Sequence, residues 1–317
     1  MSTLLFLFLV MFTVQDNCGC EGKPLPEVVS TVNGVKITAK DFDPATESRI
    51  SELKRQVIDA RQRELDLQIN STLLEAEAKK RNVPTKKILE DEVIAKAKEP
   101  TEEEARKFFD DEKARIKGSS VEFGEVKTQI MEHLRAIRRQ ELAKAFADRL
   151  RTAAGVKVLV ESITPPATDA DRQRVFAVVS GKQITSDDIE KSLESLIYGV
   201  QQEMYDLRRR DLDRKIHNAL ISQEAQKRQI TSRALLDEVK SKAAPVTEEK
   251  AKTFYDANRE KMNGEFAALK EQIIWYLQNA EADKLQLTFA EGLRKTAAVQ
   301  DFLTPPERKG TALNKAK

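Results

Sequence analysis

Apolar residues recur at steps of three and four along two long stretches of the chain. Ile50, Leu53, Val57 and Ala60 form one stripe; Leu193, Ile197, Val200, Met204 and Leu207 form another. That spacing predicts long amphipathic helices. A different pattern precedes each. The segments "TVNGVKIT" and "VVSGKQIT" alternate apolar and polar positions around Asn33-Gly34 and Ser180-Gly181, which predicts two β-hairpins. Thr38 and Thr185 then stand three residues ahead of Asp41 and Asp188, as N-caps leading into helix.

The two stretches are copies. Gly34 and Gly181 are separated by 147 positions, as are Glu77 of "LLEAEAKKRNV" and Glu224 of "LISQEAQKRQI". Further on, Phe108 and Phe254 are 146 apart, Phe123 and Phe266 are 143 apart, and Pro165 and Pro305 are 140 apart. A period this long exceeds solenoid repeats of roughly 20–50 residues and marks a duplicated domain. Thr101 with Glu104 forms a capping box; Thr247 starts the matching helix without the reciprocal acid. Final helices are expected from about Phe123 to Ala153 and from Phe266 to Ala297. The β-prone "GVKVLVESITPP" and its echo "AVQDFLTPP" follow, and each strand is expected to return to the hairpin of its own copy.

The fold class is therefore mainly α with small β elements, α+β, in two tandem modules. Module 1 is placed at 28–166, a linker at 167–174, module 2 at 175–306 and a disordered tail at 307–317. Composition agrees: charged residues make up 33% of the chain, Gly only 11 and Pro 10 of 317 residues, a mixture typical of charged helices. Lys plus Arg is 54 against 52 acids, with the signs interspersed, so nucleic acid is not an expected partner.

The run Leu4–Val14 has the length of a signal-peptide apolar region and is short for a membrane span, so residues 1–20 are read as a signal peptide or lipoprotein signal. Cys20, after Gly19, is the candidate lipidation site; an ordinary cleaved signal leaving two harmless or paired cysteines is the competing reading. A lipid there would be the one link to the membrane, and the expected location is the periplasm or a tethered position in a bacterial envelope.

No catalytic residue is assigned, and no cofactor or metal. His133 and His217 lie on charged helices at non-equivalent positions, and neither a phosphate loop, a metal-ligand spacing nor a nucleophile elbow is present. Aromatics at helical spacing usually belong to cores. Phe109, Tyr255, Tyr198, Met204 and Tyr205 are nevertheless the candidate contacts for a bound polypeptide.

The order "TVNGVKIT", long helix, "LLEAEAKKRNV", "PTEEEARKFFDDE", "FGEVKTQIMEHLRAIRRQELAKAF", "VKVLVESITPP" resembles the N-terminal chaperone domain of SurA-type periplasmic folding factors over nearly all of 28–166. The second copy resembles it more loosely, through "LISQEAQKRQI" and "VTEEKAKTFYDANREKM". In that family a parvulin prolyl isomerase domain commonly lies between the last two helices; here only "ARIKGSSVE" and "EKMNGE" occupy the junctions. The resemblance thus implies two SurA N-like modules and an ATP-independent holdase for unfolded or extended envelope proteins, without catalysis. Two other readings compete: a scaffold for one specific envelope partner, and a degenerate peptidyl-prolyl isomerase. Two weak sites on one chain would raise effective concentration for a client touching both, which gives duplication a use.

Overall fold

The computed structural model describes residues 18–115, 121–161 and 163–308. The apolar run at 4–14, most of the first helix junction at 116–120 and the tail from 309 onward lie outside them. The protein is mainly helical with two small antiparallel sheets.

The same order of elements occurs twice. Strands β1 (Val28–Val32) and β2 (Val35–Thr38) are joined by Asn33 and Gly34, both at positive φ, as a two-residue type I′ turn requires. Strands β4 (Val175–Val179) and β5 (Lys182–Thr185) turn through Ser180 and Gly181 in the same way. Even the bulge is repeated, between Val28 and Ser30 and between Val175 and Ala177. Thr38 and Thr185 cap as expected: each backbone N–H donates to the carboxylate three residues on, Asp41 or Asp188. That bond, with the one from the Thr38 hydroxyl, holds Asp41 below the usual carboxylate range. Thr38 opens a 3-10 turn, and the long helix begins only at Pro44.

Helices α1 (Pro44–Arg81) and α6 (Ser186–Lys227) are the two long amphipathic elements. Each stops at a residue in the left-handed region, Asn82 or Gln229. The next N–H reaches back five residues, from Val83 to Ala78 and from Ile230 to Ala225, which satisfies carbonyls the helix would otherwise leave open. After α1 come α2 (Thr85–Leu89) with a π turn, α3 (Glu102–Arg115), α4 (Phe123–Ala154), strand β3 (Lys157–Val158) and α5 (Asp169–Arg172). After α6 come α7 (Ser232–Lys240), α8 (Glu248–Asn258), α9 (Phe266–Thr296) and strand β6 (Val299–Asp301). The expected linker holds α5, and Glu307 in the expected tail accepts an ion pair from Lys23 at 2.7 Å.

The strands do not return to their own hairpins. The sheets run β2-β1-β6 and β3-β4-β5, so each hairpin takes its third strand from the other sequence copy. The cause is local. Strands β3 and β4 are neighbours in sequence, and pairing them antiparallel closes a loop of about sixteen residues, which costs less entropy than closure across a whole helical module. The edge of β1 is then open to β6. There the Asn33 N–H donates to the Ala298 carbonyl, and the Ala298 N–H donates to the Asn33 side chain, both at 2.9 Å.

The hydrophobic cores follow the same exchange. Leu65, Ile69 and Leu73 of α1 pack with Phe176, Val179 and Ile184 of the second hairpin. Their counterparts 147 positions on, Leu212, Ile216 and Leu220 of α6, pack with Val29, Val32 and Ile37 of the first. Each such side chain contributes roughly 2 kcal/mol by leaving water. The compact units are accordingly not the sequence copies. One comprises residues 1–20 and 54–197, of which 18–20 and most of 54–197 are described; the other comprises 21–53 and 198–317. The divisions fall inside α1 and α6.

Candidate functional site

The distal part of the second unit is a helical hairpin, α8 against α9. Thr247 starts α8 by accepting the Lys250 N–H at 3.3 Å, without a reciprocal acid. Ala251, Tyr255 and Ile273 form its buried centre. The Tyr255 ring stacks on Phe266 at 5.5 Å, and its hydroxyl donates to the Gly264 carbonyl at 3.0 Å, so its polar tip is satisfied inside. One layer out, Phe254 meets Tyr276 at 5.6 Å.

Beside that outer pair runs a groove of about 360 Å³. Phe254, Met262, Leu269, Ile273 and Tyr276 make its apolar walls, and the amides of Asn263 and Gln272 also line it. Tyr276 is 55% exposed and Trp275 beside it is 71% exposed. Sequence arithmetic forces this display. Ile273 to Leu277 are five consecutive apolar residues, and at 100° per residue such a run wraps the whole helix. Ile273 is buried, Ile274 and Leu277 are partly covered, and Trp275 with Tyr276 is left outside. A larger depression of about 530 Å³ lies where α1 ends, lined by Glu75, Lys79, Asn82 and Pro84 among others, and holds no aromatic ring.

The residues expected to touch a polypeptide are placed differently. Tyr255 and Met204 are each 2% exposed and belong to the interior. Phe109 is half-buried against Phe123, its ring 5.6 Å away edge-on. Tyr198 is half-buried under the Arg308 guanidinium at 5.5 Å, and Tyr205 is half-buried on α6. Phe109 belongs to the first unit, and Tyr198, Met204, Tyr205 and Tyr255 to the second. Adjacent helical residues point about 100° apart, so Tyr255 faces the core while its neighbour Phe254 faces the groove.

Polar groups elsewhere are mostly accounted for by pairing. Asp213 receives Arg209 and Arg294; burial pushes its carboxyl up, but these two guanidinium groups outweigh it and hold it low. Burial lowers the His217 imidazole, and Arg294 lowers it further. Exposed His133 stacks against Phe108 at 5.3 Å. Cys20, the candidate lipidation site, is buried and bonded to Cys18. Among the described residues no group of three or more His, Cys, Asp or Glu is placed to hold a metal ion, and no helix is long and apolar enough to cross a membrane. Compared with protein-family models, with curated proteins and with solved structures, the chain matches none.

Proposed function

We propose that this protein is an ATP-independent holdase that shields extended, apolar segments of unfolded proteins, built from two SurA N-like modules without an isomerase. The carrying observation is the α8–α9 groove with Trp275 and Tyr276 displayed beside it. An apolar cleft with aromatic walls and two amides suits a segment with a bulky side chain and a free main chain, independent of exact sequence. The connection between α8 and α9 is a 3-10 turn over Arg259–Lys261 and a few further residues, with no domain between the helices. Exported envelope proteins are the expected clients, through the resemblance and the apolar run at 4–14.

The test is aggregation of an unfolded client, followed by light scattering with the full chain at stoichiometric amounts and no nucleotide, beside a proline-limited refolding assay. Suppression by the native chain that is lost in W275E/Y276H, with an unchanged refolding rate, is the expected result. Suppression that survives this double substitution would remove the groove from the reading, and accelerated refolding would overturn the non-catalytic assignment.

A further inference from the structure

Arg61 is a charged side chain with no exposure at all, and charges buried this completely must be fully partnered. Two of its contacts come from one carboxylate: Nε donates to Glu190 Oε1 at 2.6 Å and Nη2 to Glu190 Oε2 at 3.1 Å. The third comes from the chain's N-terminal side, where Nη1 donates to the Cys18 carbonyl. Cys18 and Cys20 are joined as a disulfide, 1% and 0% exposed, and the Cys20 N–H donates to Cys18 Sγ at 3.1 Å. Gly19 between them has φ +58°, and a Cβ there would lie 2.3 Å from the Pro165 Cβ. Residues 18–20 are thus a fitted cap over the Arg61–Glu190 pair, with Pro165 packed against Gly19.

The second copy carries an arginine at the matching position with a looser contact. Arg208 stands 147 positions after Arg61 and also meets a carboxylate, Glu47, with Nε at 3.5 Å, yet its side chain keeps 12% of its exposure and Nε makes no hydrogen bond.

We propose that residues 18–20 remain on the mature protein, that the leader is cut upstream of Cys18, and that Cys20 ends as half of a disulfide and carries no lipid. The two fates exclude each other, since a thioether and a disulfide would need the same sulfur. A cut immediately before Cys20 would also remove the Cys18 carbonyl and leave Arg61 one acceptor short in the interior. Closing the staple takes two protons and two electrons from the Cys18 and Cys20 thiols; a protein disulfide donor accepts them and is itself reduced to a dithiol. An exported compartment supplies such donors. The proposal rests on the export reading, and the experiment separates the two.

The full chain is expressed in a bacterium with its own leader and recovered from the envelope fraction, then analysed by intact mass and N-terminal peptide mapping. The expected species begins at or before Cys18, is lighter than the dithiol by two hydrogens, and is alkylated when unfolded only after reduction. C20S is expected to stay in the same fraction as the native chain. A chain beginning at Cys20 with added acyl mass, or a C20S variant that leaves the membrane pellet for the soluble fraction, overturns this proposal while keeping export. An uncut chain with free thiols overturns both.

Discussion

The α3–α4 hairpin of one unit and the α8–α9 hairpin of the other share an interior and differ in what they display. Ala105 and Ala251 are both fully buried, and Ile130 and Ile273 fill equivalent places. The ring contacts are paired as well: Phe109 on Phe123 at 5.6 Å against Tyr255 on Phe266 at 5.5 Å, and Phe108 on His133 at 5.3 Å against Phe254 on Tyr276 at 5.6 Å. On the outer face, however, Glu132 and His133 stand where the second hairpin has Trp275 and Tyr276. The two hairpins keep the same packing and differ at the surface, so a binding face is to be sought where they disagree.

The sharpest break between the copies is at their equivalent arginines. Truncating Arg61 to Ala leaves Glu190, whose side chain is 14% exposed, without its partner and is expected to cost about 3 kcal/mol, towards the lower end of losses on breaking a buried pair. R208A removes a looser contact, with Glu47 at 42% exposure, and is expected to cost about 1 kcal/mol. Urea denaturation of the two variants measures the gap; equal losses would mean that the cap over Arg61 adds nothing.

Next in size are the inner rings. Y255A removes a nearly fully buried ring and its hydrogen bond to Gly264 and is expected to cost about 3–4 kcal/mol. F109A empties a half-buried position and is expected to cost about 2 kcal/mol. Thermal melts would check the order, and a reversal would show that the two interiors are not equivalent.

The outer face carries the functional contrast. W275E/Y276H gives the second hairpin polar residues like those of the first, and client affinity is expected to fall at least about tenfold, near 1.4 kcal/mol, with stability unchanged within about 0.5 kcal/mol. The reciprocal E132W/H133Y is expected to strengthen client binding at the first hairpin. Fluorescence anisotropy of a labelled unfolded peptide reads both; a loss of stability in the first variant would return Trp275 to a structural role.

Much of this was legible in the residues. Asn33-Gly34 and Ser180-Gly181 announced their turns because few other pairs accept two positive φ values, and the helical stripes marked the buried faces of α1 and α6. The strand exchange was not legible, since "KVLV" and "VQDF" are equally compatible with either hairpin and the choice lies in loop closure. The groove was half legible. The run from Ile273 to Leu277 is too long to be hidden on one helix, but which of its members stays outside is decided by α8. Arg61 gave no signal at all, because a buried arginine is identical in sequence to a solvated one.

The smallest contrast concerns acid. Glu92 is 14% exposed and accepts Lys96, Arg81 and Arg149, and these bonds, led by Lys96, hold its carboxyl down at about 2 against an ordinary 4.5. In the second copy Glu238 is 47% exposed, with Lys242 at 3.0 Å and Arg228 at 3.8 Å; its carboxyl is also lowered, chiefly by Lys242. A carboxyl lowered on folding stabilises the protein above its unfolded value, and that contribution disappears as pH falls from about 4.5 towards 2. E92Q is therefore expected to cost about 1 kcal/mol near neutral pH and to approach the native chain's stability near pH 2. For E238Q, on an exposed helix face where solvent screens the pairing, a smaller change than for E92Q is expected at every pH. Denaturation at several pH values compares them, and an E92Q deficit that persisted undiminished to the acid end would show that Glu92 contributes through packing and not through its charge.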